Sequence, residues 1–298
     1  MECNFDLSDP SQPSYQTRDL LQSTPSKLNP TYTTSTPASS AQNCVMTSVP
    51  QHNYWGYKSP PGTPTVWSLT ESGSIRVLWA LEELVEQNIL ESYNLKAFQR
   101  SKTTHAAPEA MKEGFRLGKS PILTVSPANA PDEPPTSFVE GRLILQFLAD
   151  HYAKGLWDPK TPQDQARDIF FQEFAGTTVS TLTSLTLTMD VIPEATPWPL
   201  RPLLKLLFVP LMSVFKGKLA EPFEFLEDTL SDEKPWFGGS KLGLADFCMI
   251  FPLDACVVRK YFDGTKYPKV NRWHKTVHEL PAYQRAVKKM GEYNGVKA

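Results

Sequence analysis

The sequence predicts two folded parts, a small α/β unit followed by an all-helical one. Between residues 64 and 153, short β-branched and aromatic runs alternate with apolar patterns of helical spacing, in the order βαβαββα. Beyond a connector at residues 154–164, the periodic segments all have helical spacing, with Gly, Pro and Asp breaks between them. We therefore expect an α/β domain at residues 64–154 and a helical domain at residues 163–292.

The first helix follows the first strand after a short hydroxyl-rich turn. The run TPTVWSL is typical of a strand, and Ile75, Leu78 and Trp79 then recur at helical spacing. This helix is expected to end near Gln87 or Asn88. The remaining elements of the domain, in order, are a strand LESYNLKA, a short helix PEAMKEGF, a Pro-led strand LGKSPILTV, a strand PTSFV and a helix GRLILQFLADHY.

Helical periodicity fills the second part of the chain. The predicted segments lie near residues 162–189, 199–230, 243–261, 269–279 and 281–291.

Residues 1–63 have a different composition. They contain 18 Ser and Thr residues, many prolines, four acidic side chains and three basic ones. Such a segment buries too little apolar surface to offset its chain entropy, so we expect a disordered tail.

Composition excludes several functional classes. A formal net charge of -2 and the lack of a basic run argue against a nucleic-acid partner. Cys3, Cys44, Cys248 and Cys256 form no C-x-x-C pair, which excludes a disulfide framework or a zinc knuckle. Cys248 and Cys256 are expected to be buried and inert, in a reducing, cytoplasmic location.

The longest apolar stretch, at residues 202–215, is too short and too interrupted to span a bilayer. Arg201, Lys205, Lys216 and Lys218 surround it, which is compatible with an amphipathic helix at a membrane surface; an ordinary packed helix is the alternative.

Five separated motifs resemble the cytosolic glutathione transferase superfamily, in the expected order. They are SGSIRVLWALEEL, LGKSPIL, FVEGRLILQFLADHY, KLGLADFCMIFPL and YPKVNRWHKTVHELPAYQRA. The resemblance implies a thioredoxin-like first domain and an all-helical second domain, the fold of these transferases. Within the superfamily, the first and last motifs most resemble the membrane-associated transferases of yeast and other fungi.

The resemblance implies that glutathione is the co-substrate and that a small hydrophobic electrophile is the acceptor, in detoxification or secondary metabolism. The thiolate of glutathione is the nucleophile, and a hydrogen bond from a hydroxyl at a helix start lowers the thiol pKa. Ser72, four residues before Arg76, has that position in the family pattern. The alternatives are that Ser72 only caps the helix, or that Thr70 or Ser74 has the role.

Other site residues follow from the same resemblance. Pro121 is expected to be cis, so that the backbone of Ser120 pairs with the cysteinyl part of glutathione. Lys119 and His105 are expected near its carboxylates. Glu140 and Gly141 are expected to contact the γ-glutamyl group of glutathione. Glycine stands at 141 where the pattern has serine, so one hydrogen-bonding hydroxyl is missing.

The second substrate is expected between Ser72 and the helical domain. Candidate wall residues are Phe170, Phe171, Phe174 and Thr177, with core packing as the alternative.

A metal is not expected. His274 and His278 are four residues apart on a helix, but the sequence shows no H-E-x-x-H pattern and no third ligand. Asp246, at the start of KLGLADF, is expected to have a structural role.

The resemblance implies a homodimer. The glycine at 141 keeps a second hypothesis open, a non-catalytic binding or regulatory protein of the same fold. A third is a specialised biosynthetic enzyme that uses the same thiolate.

Overall fold

The computed structural model describes Tyr57, residues 60–291 and Tyr293. Its first part consists of seven elements in the predicted order. They are β1 (Thr65–Leu69), α1 (Ile75–Glu86), β2 (Asn94–Phe98), a short 3₁₀ helix (Glu109–Glu113), β3 (Ile122–Val125), β4 (Thr136–Val139) and α2 (Gly141–His151). The βαβαββα order is confirmed, although its second helix is a single 3₁₀ stretch and β2 and β3 begin later than predicted.

The four strands form one mixed sheet in the order β2-β1-β3-β4. β1 is parallel to β2 and antiparallel to β3, and β3 is antiparallel to β4. Trp67 near the end of β1 pairs with Ile122 at the start of β3, and Ile122 also pairs with Val139 at the end of β4. The end of β1, the start of β3 and the end of β4 therefore meet at one edge of the sheet.

The second part is helical, as predicted. Its elements are α3 (Pro162–Glu173), a π-helical turn (Phe174–Val179), α4 (Ser180–Ala195), α5 (Arg201–Lys218), α6 (Ala220–Thr229), α7 (Leu244–Val258), α8 (Pro268–Glu279) and α9 (Pro281–Met290). Two segments differ from the prediction. The first continues to residue 195, with Pro193 inside α4, and the second is divided at Leu219 into α5 and α6.

One hydrophobic core runs through both parts. Twelve of the fifteen residues of α7 are buried. Trp79 of α1 contacts Phe247 of α7 and Tyr283 of α9, with ring centroids 4.5 Å and 5.5 Å apart. The start of α1 is thus fixed between the sheet and the helical part.

The buried carboxylate of Asp246 has the expected structural role. It accepts hydrogen bonds from the backbone N–H groups of Phe237, Gly238 and Gly243, and from the indole N–H of Trp273 at 2.8 Å. These bonds hold the loop before α7 against α8.

The folded part begins before residue 64. Tyr57 is buried against Phe138 and Phe147, and its hydroxyl donates to the carbonyl of Ser126. The N–H of Gly62 donates to the same carbonyl at 2.9 Å. Most of the predicted tail, including Cys3 and Cys44, lies outside the described residues.

Cys248 and Cys256 are both buried. Burial raises the pKa of Cys248 to about 11 and that of Cys256 to about 12, which disfavours the reactive thiolate at neutral pH.

Candidate active site

Four serine hydroxyls meet at the sheet edge where β1 ends and β3 begins. The Oγ of Ser72 lies 2.9 Å from the Oγ of Ser74 and 3.1 Å from the Oγ of Ser120. The Oγ of Ser74 also lies 2.8 Å from that of Ser68. The antiparallel pairing of β1 and β3 explains how Ser120 reaches residues so distant in the chain.

Solvent access distinguishes the three hydroxyls at the start of α1. Ser72 is 6% exposed and lines a pocket, whereas Ser74 is fully buried. The Oγ1 of Thr70 accepts a hydrogen bond from the N–H of Arg100. Of the three hydroxyls, only that of Ser72 lines the pocket.

The residue before α1 is Ser74 and not Ser72, and the side chain of Ser74 makes no capping bond. Its carbonyl accepts the N–H groups of Val77 and Leu78 instead. The hydroxyl of Ser72 donates to the carbonyl of Leu69 at 2.7 Å and accepts the N–H of Ser74 at 3.2 Å. To donate to a ligand, this hydroxyl must turn away from Leu69.

The pocket beside Ser72 has a volume of about 380 Å³. It brings together four of the predicted site residues, Ser72, His105, Lys119 and Ser120. The Ser120–Pro121 peptide bond is cis, as the resemblance implies. The other lining side chains with a charge are Arg100, Lys112 and Glu109, so positive charge predominates and favours an anionic ligand.

Arg100 is a pocket residue that was not predicted from the sequence. Its guanidinium donates to the carbonyls of Thr70, Glu71 and His105, at 3.1–3.3 Å. It therefore links the loop before α1 to the loop that carries His105. A signal was present, because β2 is parallel to β1 and residues just after it must lie at the same sheet edge.

Glu140 and Gly141 lie at the same edge, where β4 leads into α2. Glu140 precedes the helix with a φ of 67°, a strained conformation for a residue with a side chain. Neither residue lines the pocket beside Ser72. A β-carbon at Gly141 would lie 2.9 Å from Cδ of Arg76, so this glycine leaves space for an arginine.

A second pocket of about 550 Å³ adjoins the first and shares Arg100 and His105 with it. One wall belongs to α4 and is mainly apolar. Its residues are Leu187, Thr188, Val191, Ile192, Glu194 and Ala195. This wall could hold an apolar molecule next to Ser72.

The four predicted wall residues lie elsewhere. The ring of Phe170 meets that of Phe225 of α6 edge-on, the ring of Phe174 packs against Phe225 at a tilt, and Phe171 is buried. The hydroxyl of Thr177 donates to the carbonyl of Glu173. None of the four lines either of these two pockets. Helical spacing showed that they share a region of α3 and the π-helical turn, but not which element that region faces.

The expectation that His274 and His278 have no third metal ligand is wrong, since Asp254 completes a group of three whose ligand atoms lie within 4.8 Å of one another. The Nε2 atoms of both rings lie 2.7–2.8 Å from Oδ1 of Asp254, on the neighbouring α7. The hydroxyls of Tyr283 and Tyr293 donate to its other oxygen. Burial alone would raise the pKa of Asp254, but the two histidines outweigh it and hold the pKa below its usual range. These hydrogen bonds satisfy the carboxylate and join α7, α8 and α9.

No helix among residues 60–291 is long and apolar enough to cross a membrane.

Comparison with known proteins agrees with this fold. Residues 214–281 match the family model described as "Glutathione S-transferase, C-terminal domain". Glutathione S-transferase 1 of Saccharomyces cerevisiae is 25% identical over 224 residues, which cover 74% of this chain and 92% of that protein.

Solved structures share the fold. A glutathione S-transferase of Actinobacillus pleuropneumoniae has a TM-score of 0.59 and 24% identity, covering 78% of this chain and 94% of its own. Glutathione transferase URE2P8 of Phanerochaete chrysosporium, solved with oxidized glutathione, has a TM-score of 0.57 and 20% identity, covering 78% and 97%. Glutathione transferase YghU of Streptococcus pneumoniae, complexed with glutathione, has a TM-score of 0.58 and 17% identity, covering 78% and 85%.

The fold is therefore that of the glutathione transferases, with a four-stranded mixed sheet and a helical second part. The family match and the yeast relative support the glutathione transferase superfamily for this chain. The finer likeness to membrane-associated fungal transferases stays a prediction.

Proposed function

We propose that this chain, which has the fold of the glutathione transferases, conjugates the thiolate of glutathione to a small hydrophobic electrophile. One observation carries the proposal. The hydroxyl of Ser72 lines a predominantly cationic pocket at the start of α1, and the apolar wall of α4 adjoins that pocket. Two proteins of this fold were solved with glutathione or its oxidised form.

The chemistry requires a thiolate. A free thiol has a pKa of about 8.5, and lowering it by two units takes about 2.7 kcal/mol. A hydrogen bond from a hydroxyl to a charged sulfur supplies about 1.5–3 kcal/mol, and a helix N-terminus adds about 0.3–1 kcal/mol. One hydroxyl at the start of α1 is therefore sufficient.

Ser72 supplies this bond by turning its hydroxyl from the carbonyl of Leu69 to the sulfur. The hydroxyl of Ser74, 3.4 Å from the same carbonyl, can then donate to it instead. The thiol proton leaves to solvent. The sulfur lone pair forms the bond to carbon while the leaving group departs with its electrons, and Ser72 keeps its own proton.

The binding residues implied by the resemblance complete the site. Lys119 and His105 lie on the pocket beside Ser72, where they can attract a carboxylate of glutathione. Ser120 is next to Ser72, for the cysteinyl part. Glu140 and Gly141 are assigned to the γ-glutamyl group, whose ammonium a carboxylate would attract.

The second substrate is proposed to bind against the α4 wall. Val191 and Ile192 are half-buried there, and both line the pocket that adjoins Ser72's. None of the wall residues predicted from the sequence lines this pocket, and their contact with the second substrate stays a prediction. These residues are Phe170, Phe171, Phe174 and Thr177.

Turnover of a chloronitrobenzene with glutathione tests the proposal. We expect Ser72→Ala to lower kcat/KM at least about tenfold, because one hydrogen bond to a charged group is lost. We also expect it to raise the pKa of bound glutathione, measured by ultraviolet absorbance of the thiolate. Ser126→Ala is the matched control, since the hydroxyl of Ser126 donates to the carbonyl of Glu133 and Ser126 does not line this pocket. Full activity of Ser72→Ala would remove Ser72 from the role.

A non-catalytic binding or regulatory protein is the alternative. Calorimetric titration separates the two. Micromolar binding of glutathione supports the transferase, whereas no binding at millimolar glutathione favours the alternative.

A homodimer is also proposed. Ile169, Phe170 and Phe225 are 42–48% exposed, which leaves an apolar patch for a second copy to cover. Light scattering after size exclusion gives the mass that decides this, and a monomer at micromolar concentration would contradict it.

The surface of α5 supports a third proposal, a peripheral membrane contact. None of its eighteen residues is buried. Leu203, Leu206 and Leu207 are 65–76% exposed, and Trp198 just before the helix is 80% exposed. From residue 195 to residue 220 there are four basic side chains and no acidic one, which suits an anionic lipid surface.

Sedimentation with vesicles tests this contact. We expect binding to vesicles rich in phosphatidylserine, weaker binding to phosphatidylcholine alone, and loss of both when Leu203 and Leu207 are changed to Glu. Equal binding by that variant would refute the contact. A change of oligomeric state in the variant, without any vesicle binding by the wild type, would assign α5 to a protein interface instead.

A further inference from the structure

The guanidinium of Arg76 lies between the first turns of two helices. Its NH2 atom is 3.3 Å from the place where a β-carbon on Gly73 would be, at the start of α1. Its Cδ atom is 2.9 Å, and its NH1 atom 3.4 Å, from the corresponding place on Gly141, the first residue of α2. Because neither glycine has a β-carbon, the side chain of Arg76 fits between them.

This guanidinium lacks protein hydrogen-bond partners. It donates to no residue that the structure describes, and its Nε is buried without a partner. The ring of Phe251 covers one side, with its centroid 5.5 Å from Cζ. Burial lowers the pKa of Arg76, while the charge of Glu140 is among the influences that oppose this shift. An arginine nevertheless stays protonated at neutral pH, so the four N–H donors of its two terminal nitrogens remain for a ligand.

The first N–H groups of α2, a helix of eleven residues, have no side-chain cap. At the start of α1, by contrast, the N–H groups of Ile75 and Val77 already donate to the carbonyls of Ser72 and Ser74. The uncapped N–H groups of α2 and the positive ends of the two helix dipoles favour an anion at this place. A planar guanidinium with free donors fits a carboxylate in particular.

We propose that Arg76 binds the α-carboxylate of the γ-glutamyl group of glutathione and replaces the hydroxyl that is missing at Gly141. The proposal rests on the proposed transferase function, since it assigns a residue to the same ligand. Glu140, adjacent in the chain, is left for the α-ammonium. Arg76 and Gly141 depend on each other, because Arg76 occupies the space that a serine side chain at position 141 would need.

Calorimetry with two peptides tests the assignment. The first is glutathione, and the second is 4-aminobutyryl-cysteinyl-glycine, which lacks only the α-carboxylate. We expect the wild type to bind glutathione about 10- to 100-fold more tightly than the analogue, as for one hydrogen bond to a charged group. Arg76→Met should lose this preference, by weakening glutathione binding and leaving analogue binding unchanged.

Arg142→Met is the matched control. Arg142 lies on the first turn of α2, and its NH1 is 3.1 Å from the carboxylate of Glu173. This variant removes the same charge from the same helix end and should keep the preference for glutathione. Arg76→Lys, which keeps the charge but not the planar donors, should keep part of the preference and serves if Arg76→Met does not fold.

Three results would overturn the assignment. Equal weakening of both peptides in Arg76→Met would give Arg76 a purely structural role. Unchanged binding of both would exclude a contact. Failure of the wild type to bind glutathione at all would overturn the proposed function as well. The first two results, by contrast, would overturn only the role of Arg76.

Discussion

Arg76 and Gly141 share one volume, since Cδ of the arginine lies 2.9 Å from where a β-carbon on the glycine would be. Real β-carbons do not approach another atom so closely, so a side chain at 141 must displace the arginine. The small residue at the start of α2 and the long one on α1 are thus mutually dependent.

We expect Gly141→Ala to lower the free energy of unfolding by about 1–3 kcal/mol, the usual cost of overpacking. In an Arg76→Ala background the same change should cost nothing or should stabilise, because alanine favours a helix more than glycine does. Urea unfolding of the four proteins gives the coupling energy. Additive effects of the two substitutions would contradict the shared volume.

Arg100 should control glutathione binding without touching the sulfur. It fixes the loops of Thr70 and His105 through three backbone carbonyls, so Arg100→Gln should loosen the pocket beside Ser72. We expect KM for glutathione to rise about tenfold, with a smaller change in kcat, as for the loss of uniform binding. Arg116→Gln, on an exposed arginine outside the pocket, is the control. An equal KM in both variants would refute this role.

The α4 wall should decide which electrophiles are accepted. Ile192→Trp adds volume to the pocket next to Ser72's and should lower kcat/KM for a bulky apolar electrophile about tenfold, while calorimetric binding of glutathione stays within twofold. Leu185→Trp changes an exposed leucine of the same helix that does not line the pocket, and should be neutral. Equal effects of both substitutions would place the second substrate elsewhere.

The carboxyl group of Asp246 should stabilise the folded protein more at low pH than at neutral pH, the opposite of the usual behaviour of an aspartate. Burial raises its pKa to about 6, despite the hydrogen bonds of Gly243, Phe237 and Trp273, against an ordinary value of 3.8. Between these values the folded state binds more protons than the unfolded one, so its contribution to stability is greatest at low pH and is lost as pH rises through 6.

We therefore expect the difference in unfolding free energy between wild type and Asp246→Asn to shrink by about 2 kcal/mol from pH 4.5 to pH 7, in urea titrations. Asp263→Asn is the control with the opposite sign. The hydroxyl and N–H of Thr265 are first among the groups that lower the pKa of exposed Asp263, so its contribution is lost as pH falls. A constant difference for Asp246→Asn would show that this carboxylate does not titrate in that range.

Much of this architecture could be predicted because its signals are local. The alternation of strand and helix patterns predicted the βαβαββα order, and the proline in GKSPIL marked the start of β3. Local patterns predicted an element less accurately where tertiary contacts override the helix propensity of its residues. α4 continues through Pro193, and the short helix before β3 is only a 3₁₀ turn.

Contacts between distant segments could not be predicted in this way. Helical spacing grouped Phe170, Phe171 and Phe174, but only packing decided that they meet Phe225 instead of the pocket. The pairing of His274 and His278 with Asp254 was missed for the same reason, because their partner is on another helix twenty or more residues away.

By itself the sequence determined most of the elements and their order through hydrophobic periodicity, which acts over a few residues. Its motifs resemble those of the glutathione transferases, and that resemblance marked the Ser72 stretch and residues 140–141 as candidate ligand contacts. The tertiary structure alone decided which of the three hydroxyls opens into the pocket, that Arg100 joins it, and that Arg76 fills the space beside Gly141. These depend on the antiparallel pairing of β1 with β3 and on the packing of α1 against α2, which bring together atoms that no local pattern relates.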